Sequence, residues 1–135
     1  MRILHVITLC ELGGAQSVVI NLANELSKSN EVIVAAGEGD GKMWDMLDSR
    51  VVKHQCQHLQ RAISPIKDPL ALFELWRLYC RYKPDVIHLH SSKAGLLGRI
   101  AFPSRRVVYT VHGFDSIRVA HRRMLPLEKI MQNCC

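Results

Sequence analysis

The chain has 135 residues and a mass of 15.3 kDa, with 48% hydrophobic and 22% charged residues. These values are typical of one globular domain and exclude disordered, collagen-like and disulfide-scaffold proteins. Lys and Arg exceed Asp and Glu by 18 to 12, which gives a net charge of +6. Most of the excess lies in residues 51–135, which favours an anionic partner there, although a solvated basic surface explains it equally well.

No apolar run approaches the length of a membrane span, and the first residues lack the features of a secretory signal. The five cysteines form no C-x-x-C pair. We therefore expect a cytoplasmic protein with reduced thiols.

Strand and helix patterns alternate along the chain. Apolar, β-branched runs predict strands over residues 3–9, 31–36, 51–59, 85–90 and 107–111. Apolar stripes of helical period predict helices over residues 15–28, 42–49, 68–82, 93–102 and 117–135. Asp68 and Pro69 are typical of the cap and first residue of a helix, and Ser91 or Ser92 suits the cap of the next one.

This order predicts an α/β fold of Rossmann-like type, a parallel sheet with helices on both faces, in a single domain over residues 1–135. Such sheets bind ligands at the carboxyl ends of their strands. We expect the loops after the first, fourth and fifth strands to be neighbours there if the first strand pairs with the fourth and the fourth with the fifth.

Gly13 and Gly14 connect the first strand to a helix. Backbone amides at such a turn contact phosphates or sugars closely, but a tight turn without a ligand explains the pair equally well. The segment is not a G-x-G-x-x-G motif and no acidic residue ends the second strand, so a dinucleotide is disfavoured.

His112 ends the fifth strand, where a histidine donates a hydrogen bond to substrate or moves a proton. The alternative is a partly buried histidine bonded to the backbone. Ser91, Ser92 and Lys93 suit a phosphate or a sugar hydroxyl. An ordinary serine cap with a solvated lysine accounts for them as well.

Two groups of residues at alternate strand positions raise the question of zinc. They are His88 with His90, and His54 with Cys56 and His58. Neither has the ligand spacing of structural zinc sites, so structural histidines are favoured and no metal is predicted.

A basic segment with interspersed apolar residues follows the fifth strand; its arginines include Arg118, Arg122 and Arg123. This composition is typical of a helix that binds an anionic lipid surface, and equally of a solvated helix face. Nucleic acid is disfavoured because no aromatic platform accompanies the charges.

Three segments resemble glycosyltransferase family 4, in the order in which that family has them. They are ILHVIT with ELGGAQSVVINLANEL, then PDVIHLHSSKAGLLGR, then VVYTVHGF. The resemblance covers almost the whole chain and is closest to bacterial enzymes that build polysaccharides and lipid-linked glycans.

The resemblance implies the amino-terminal, acceptor-side half of a GT-B enzyme, which transfers a hexose from a nucleotide sugar to a glycan or lipid-linked acceptor. It places Gly13 and Gly14 near the donor phosphates and His112 beside the transferred sugar. It also assigns a set of residues to the acceptor side: His90, Ser91, Ser92, Lys93, Gly113 and Phe114. Arg118, Arg122 and Arg123 would face the membrane, which makes the enzyme peripheral at the inner face of the cell membrane.

The family's last amino-domain strand and its donor-binding domain have no counterpart in residues 1–135. We therefore expect this chain alone to be inactive, with no cofactor beyond the nucleotide sugar of the whole enzyme. The alternative is a non-catalytic module that binds an anionic ligand or a membrane surface.

Overall fold

The computed structural model describes residues 1–112, which form one parallel sheet between two layers of helices. In chain order the elements are β1 Arg2–Ile7, α1 Gly14–Leu26, β2 Glu31–Ala36, α2 Lys42–Asp45, β3 Val52–Gln55, α3 Lys67–Tyr82, β4 Val86–Leu89, α4 Ser92–Ala101 and β5 Val107–Tyr109, the last preceded by a 3-10 turn at Ser104–Arg106. The helix predicted over residues 117–135 lies outside the described residues.

The strand order is β3-β2-β1-β4-β5, and all four pairings are parallel. The first strand pairs with the fourth and the fourth with the fifth, so the condition for the three loops to be neighbours is met. Because the order reverses between β1 and β4, the loops after these strands diverge to opposite faces and leave a crevice at the carboxyl edge.

Each face of the sheet has its own hydrophobic core. On one face, Leu75 and Leu78 of α3 and Leu97 of α4 pack on β1, β2 and β4. On the other, Val19 and Ala23 of α1 pack on β1 and β2. The central strands β1 and β2 are therefore buried on both sides, which is why their buried residues are continuously apolar, apart from His5 in β1, rather than alternating.

Several predicted boundaries were wrong. Four of the five strands are shorter than predicted; only residues 31–36 match. Apolar residues continue past the ladder, as at Leu59, which is buried although it lies outside β3. Helix α3 begins at Lys67, before the predicted cap Asp68. Asp68 instead accepts the Ser64 amide at 3.2 Å, and the Ser64 hydroxyl accepts the Lys67 amide at 3.1 Å.

Candidate functional site

The carboxyl ends of β1 and β4 are joined by one serine. The Ser91 hydroxyl caps α4 by accepting the amide of Ala94 at 3.4 Å. It also accepts the Thr8 amide at 3.2 Å and is hydrogen-bonded to the Thr8 hydroxyl. The prediction that Ser91 caps this helix is confirmed, and the loop after β4 is fixed against the end of β1.

Three histidines at this edge form a hydrogen-bonded row that runs from the core to the surface. His5 Nδ1 lies 2.9 Å from His90 Nε2, and His90 Nδ1 lies 3.1 Å from His112 Nε2. His5 and His90 are buried, whereas His112 is exposed. His112 was predicted to end the fifth strand but lies three residues beyond the end of β5, because the ladder stops at Tyr109. Through His90 it is connected to the middle of β1.

Burial keeps the His5 and His90 rings neutral, because a charged imidazolium loses its hydration in the interior. It lowers the pKa of His5 to about 4 and that of His90 to about 2, with the neighbouring histidines contributing further. Desolvation also lowers the pKa of His112. His88 lies beside the row of three histidines. Its ring centroid is 3.9 Å from that of His90, and its Nε2 is 2.6 Å from the Thr110 hydroxyl.

Gly13 and Gly14 are exposed at the amino end of α1, next to the carboxyl end of β1. A Cβ atom on Gly14 would meet nothing within 4 Å, whereas one on Gly13 would lie 2.7 Å from Gln16 Oε1. The fold itself therefore gives no steric reason for glycine at position 14. The open space fits a site at which backbone must approach a ligand.

One alternative for residues 91–93 was an ordinary serine cap with a solvated lysine. The structure shows that Lys93 is not solvated. Its ammonium lies 2.6 Å from a carboxylate oxygen of Asp68 and donates to the Ala62 carbonyl. Only 9% of its side chain is exposed. This pair fastens the start of α4 to the start of α3. Ser92, the first residue of α4, is half-buried beside it.

The second histidine group lies at the far edge of the sheet, between β3 and α3. Potential ligand atoms of His54, Cys56 and Glu74 lie within 4.8 Å of one another. The two Glu74 oxygens accept the amides of Gln57 at 2.8 Å and His58 at 3.1 Å. Glu74 thus has a structural role in holding the loop after β3.

An open depression of about 570 Å³ lies at the opposite end of the sheet and is lined by Arg2, Glu31 and Asp85 among others. Arg2 donates to Glu31 at 2.7 Å and its backbone amide donates to Asp85 at 2.8 Å. These charges are paired within the chain, so the carboxyl edge is the better candidate for a binding site.

Four predicted site residues are now placed at that edge by contacts: His90, Ser91, Lys93 and His112. Sequence reasoning missed His5 and Thr8, although a histidine inside a fully apolar strand signals a buried polar partner. Gly113, Phe114, Arg118, Arg122 and Arg123 lie outside the described residues. Among residues 1–112, no helix is both long and apolar enough to cross a membrane.

Comparison with known proteins agrees with this architecture. Residues 12–135 match the model of Glycosyltransferase Family 4. An Escherichia coli UDP-Gal:alpha-D-GlcNAc-diphosphoundecaprenol alpha-1,3-galactosyltransferase is 38% identical over 117 residues, which cover 84% of this chain and 30% of that protein.

Two crystal structures of Anabaena Alr3699/HepE share the fold. The complex with UDP and glucose has a TM-score of 0.71 at 21% identity and covers 99% of this chain. The complex with UDP-glucose has a TM-score of 0.70 at 24% identity and covers 98% of it. The chain spans 36% and 35% of those two proteins, about a third of their length. It belongs to glycosyltransferase family 4.

Proposed function

We propose that this chain forms the acceptor-side half of a glycosyltransferase that moves a hexose from a nucleotide sugar to a glycan or lipid-linked acceptor. The observation that carries the proposal is the carboxyl edge, where His112 is exposed at the end of a buried histidine chain. The galactosyltransferase named above acts on a diphosphoundecaprenol acceptor, which supports the lipid-linked class.

In this proposal His112 contacts the transferred sugar, and Gly13 with Gly14 admits the donor phosphates. Ser91 and Ser92 shape the acceptor side together with Gly113 and Phe114. Lys93 acts there through its pair with Asp68, and the buried His90 acts through its contact with His112. An N–H group that is already held in place stabilises negative charge as it develops on an oxygen during sugar transfer, because the group does not have to reorient. The resemblance assigns binding of the donor mainly to a second half of the enzyme.

The direct test is a transfer assay on the complete enzyme that contains this segment. It would use UDP-galactose and UDP-glucose with an undecaprenyl-diphosphate-linked N-acetylhexosamine. We expect transfer of hexose to the lipid. Binding of both substrates without any transfer would instead support the alternative, a non-catalytic module.

A calorimetric titration of residues 1–135 with the same nucleotide sugars tests the division of labour. Because the donor would be held mainly by the other half, we expect weak binding, on the order of millimolar. Micromolar affinity of this chain would contradict the assignment to the acceptor side.

We also propose that the segment with Arg118, Arg122 and Arg123 binds the anionic inner face of the cell membrane. Each basic side chain near such a surface contributes about 1 kcal/mol. Arg122→Glu with Arg123→Glu should therefore weaken co-sedimentation with vesicles that contain phosphatidylglycerol, whereas the distant Lys53→Glu should not. Equal sedimentation of both variants would refute the membrane contact.

A further inference from the structure

The chain of three histidines has two possible proton arrangements. In one, His5 and His90 each donate Nδ1–H outward, and His112 is left with its own Nδ1–H at the surface. In the other, His112 and His90 each donate Nε2–H inward, and His5 is left with Nε2–H in the core. Both arrangements satisfy the two contacts at 2.9 and 3.1 Å.

The buried end decides between them. His5 is fully buried, and no partner for its Nε2 atom is found in the part of the chain that the structure describes. In the inward arrangement that atom would be a buried N–H without an acceptor, a state that folded proteins rarely tolerate. In the outward arrangement it is a lone pair. At the exposed end, water serves either form of His112 equally.

We infer that His90, backed by His5, holds His112 as the Nδ1–H tautomer, so that His112 presents an N–H donor to an oxygen of the transferred sugar or the donor phosphate. The inference rests on the proposed function for the identity of that oxygen. His90 and His5 are then positioning residues. His112 Nε2 already accepts from His90, and its outward nitrogen carries a proton, so His112 serves as a hydrogen-bond donor and not as a base.

The neighbouring His88 takes no part in the hydrogen bonds that link His5, His90 and His112. Its Nε2 is engaged with the Thr110 hydroxyl at 2.6 Å, and its ring packs against that of His90. It therefore limits rotation of the His90 ring without competing for either of its nitrogens.

The tautomer is measured directly by long-range ¹H–¹⁵N correlation spectra of the ¹⁵N-histidine-labelled chain at pH 7.5, with the His112 signals identified by their loss in His112→Gln. We expect a protonated Nδ1 and an unprotonated Nε2 for His112. An unprotonated Nδ1 in the wild-type chain would overturn the inference, whether or not any variant folds.

Variants at position 90 test the cause. His90→Phe keeps a ring but removes the donor, so His112 should shift toward the Nε2–H form that free histidine prefers. His90→Asn offers an amide N–H near the former Nδ1 and should restore the Nδ1–H form. His58→Gln, on the far edge of the sheet, is the matched control and should change nothing. An unchanged His112 tautomer in folded His90→Phe would refute the positioning role.

The same variants separate this inference from the proposed function. In the complete enzyme, His90→Phe should lower kcat about tenfold, and His90→Asn should recover most of it. If the spectra are as expected but the wild-type enzyme transfers no sugar, the proposed function fails and the tautomer assignment stands. If transfer occurs and His112 shows Nε2–H, only the inference fails.

Discussion

At the scale of single residues, the sheet edge combines polar groups with deep burial. His5 lies in β1 between the buried residues Leu4 and Val6 and is itself buried, although its ring is polar. An unpaired buried polar atom costs about 1–3 kcal/mol. The hydrogen bond to His90 removes that cost at Nδ1. Within residues 1–112 no group removes it at Nε2, so His5 carries a free-energy cost that a leucine would avoid. Such exceptions are expected at functional sites.

The lowered pKa values of His5 and His90 predict how stability depends on pH. Both lie below the ordinary value of 6.5, so the unfolded chain takes up protons first as the pH falls through 6.5. Stability is therefore greatest above that pH and decreases toward pH 4. Between pH 7.5 and 5.5 we expect a loss of about 1 kcal/mol for each histidine, measured by urea denaturation.

The control for this prediction is a pair of variants. His5→Leu removes one buried ring and should reduce the pH dependence, whereas Gln57→Leu, at an exposed position without a titrating side chain, should leave it unchanged. The same pH dependence in His5→Leu as in the wild type would mean that this histidine does not titrate as its burial requires.

Gly14→Ala separates a ligand role from a folding role. Its Cβ would enter open space at the first residue of α1, and alanine favours helix over glycine by about 0.5–1 kcal/mol. The chain should therefore be as stable as the wild type or slightly more so in thermal unfolding. The complete enzyme should nevertheless lose kcat/KM for the nucleotide sugar about tenfold. A fully active variant would remove Gly14 from the donor site.

At the scale of elements, α4 is brought close to the sheet by two glycines on one face. A Cβ on Gly95 would lie 2.7 Å from the Tyr109 ring of β5, and one on Gly98 would lie 2.6 Å from Leu89 of β4. Only a helix without side chains at these positions packs this closely. The packing fixes the amino end of α4, with Ser91, at the carboxyl edge of β4.

The pair between Lys93 and Asp68 supports the same helix from its other side. Lys93→Met would leave the Asp68 carboxylate without its ammonium partner in a site where both are mostly buried. Because an unpaired, partly buried charge is destabilising, we expect a loss of about 2 kcal/mol in urea denaturation.

Lys93→Met combined with Asp68→Asn should recover part of this loss, as a double-mutant cycle would show. A stable Lys93→Met chain combined with an inactive complete enzyme would indicate instead that Lys93 serves the acceptor directly.

At the scale of the whole molecule, the parallel sheet and most of its topology were predictable because short connections and right-handed crossovers leave few arrangements for alternating strands and helices. Gly13, Ser91 and His112 were identified as candidates because each follows a strand at the carboxyl edge. Contacts between distant parts of the chain were not predictable. His5 and His90 are 85 residues apart, and the partner of Lys93 is on another helix. Periodicity locates faces, but it does not say which polar side chains meet across them.

In the proposed function, the carboxyl edge of the sheet presents His112 to the transfer reaction. The measurement that tests this most directly is kcat for hexose transfer by the complete enzyme carrying His112→Ala, compared with His58→Ala at the far edge. We predict a loss of roughly a hundredfold for His112→Ala, because removing a donor aimed at developing charge has an effect of that order, and an unchanged rate for His58→Ala. A wild-type rate for His112→Ala would contradict the account.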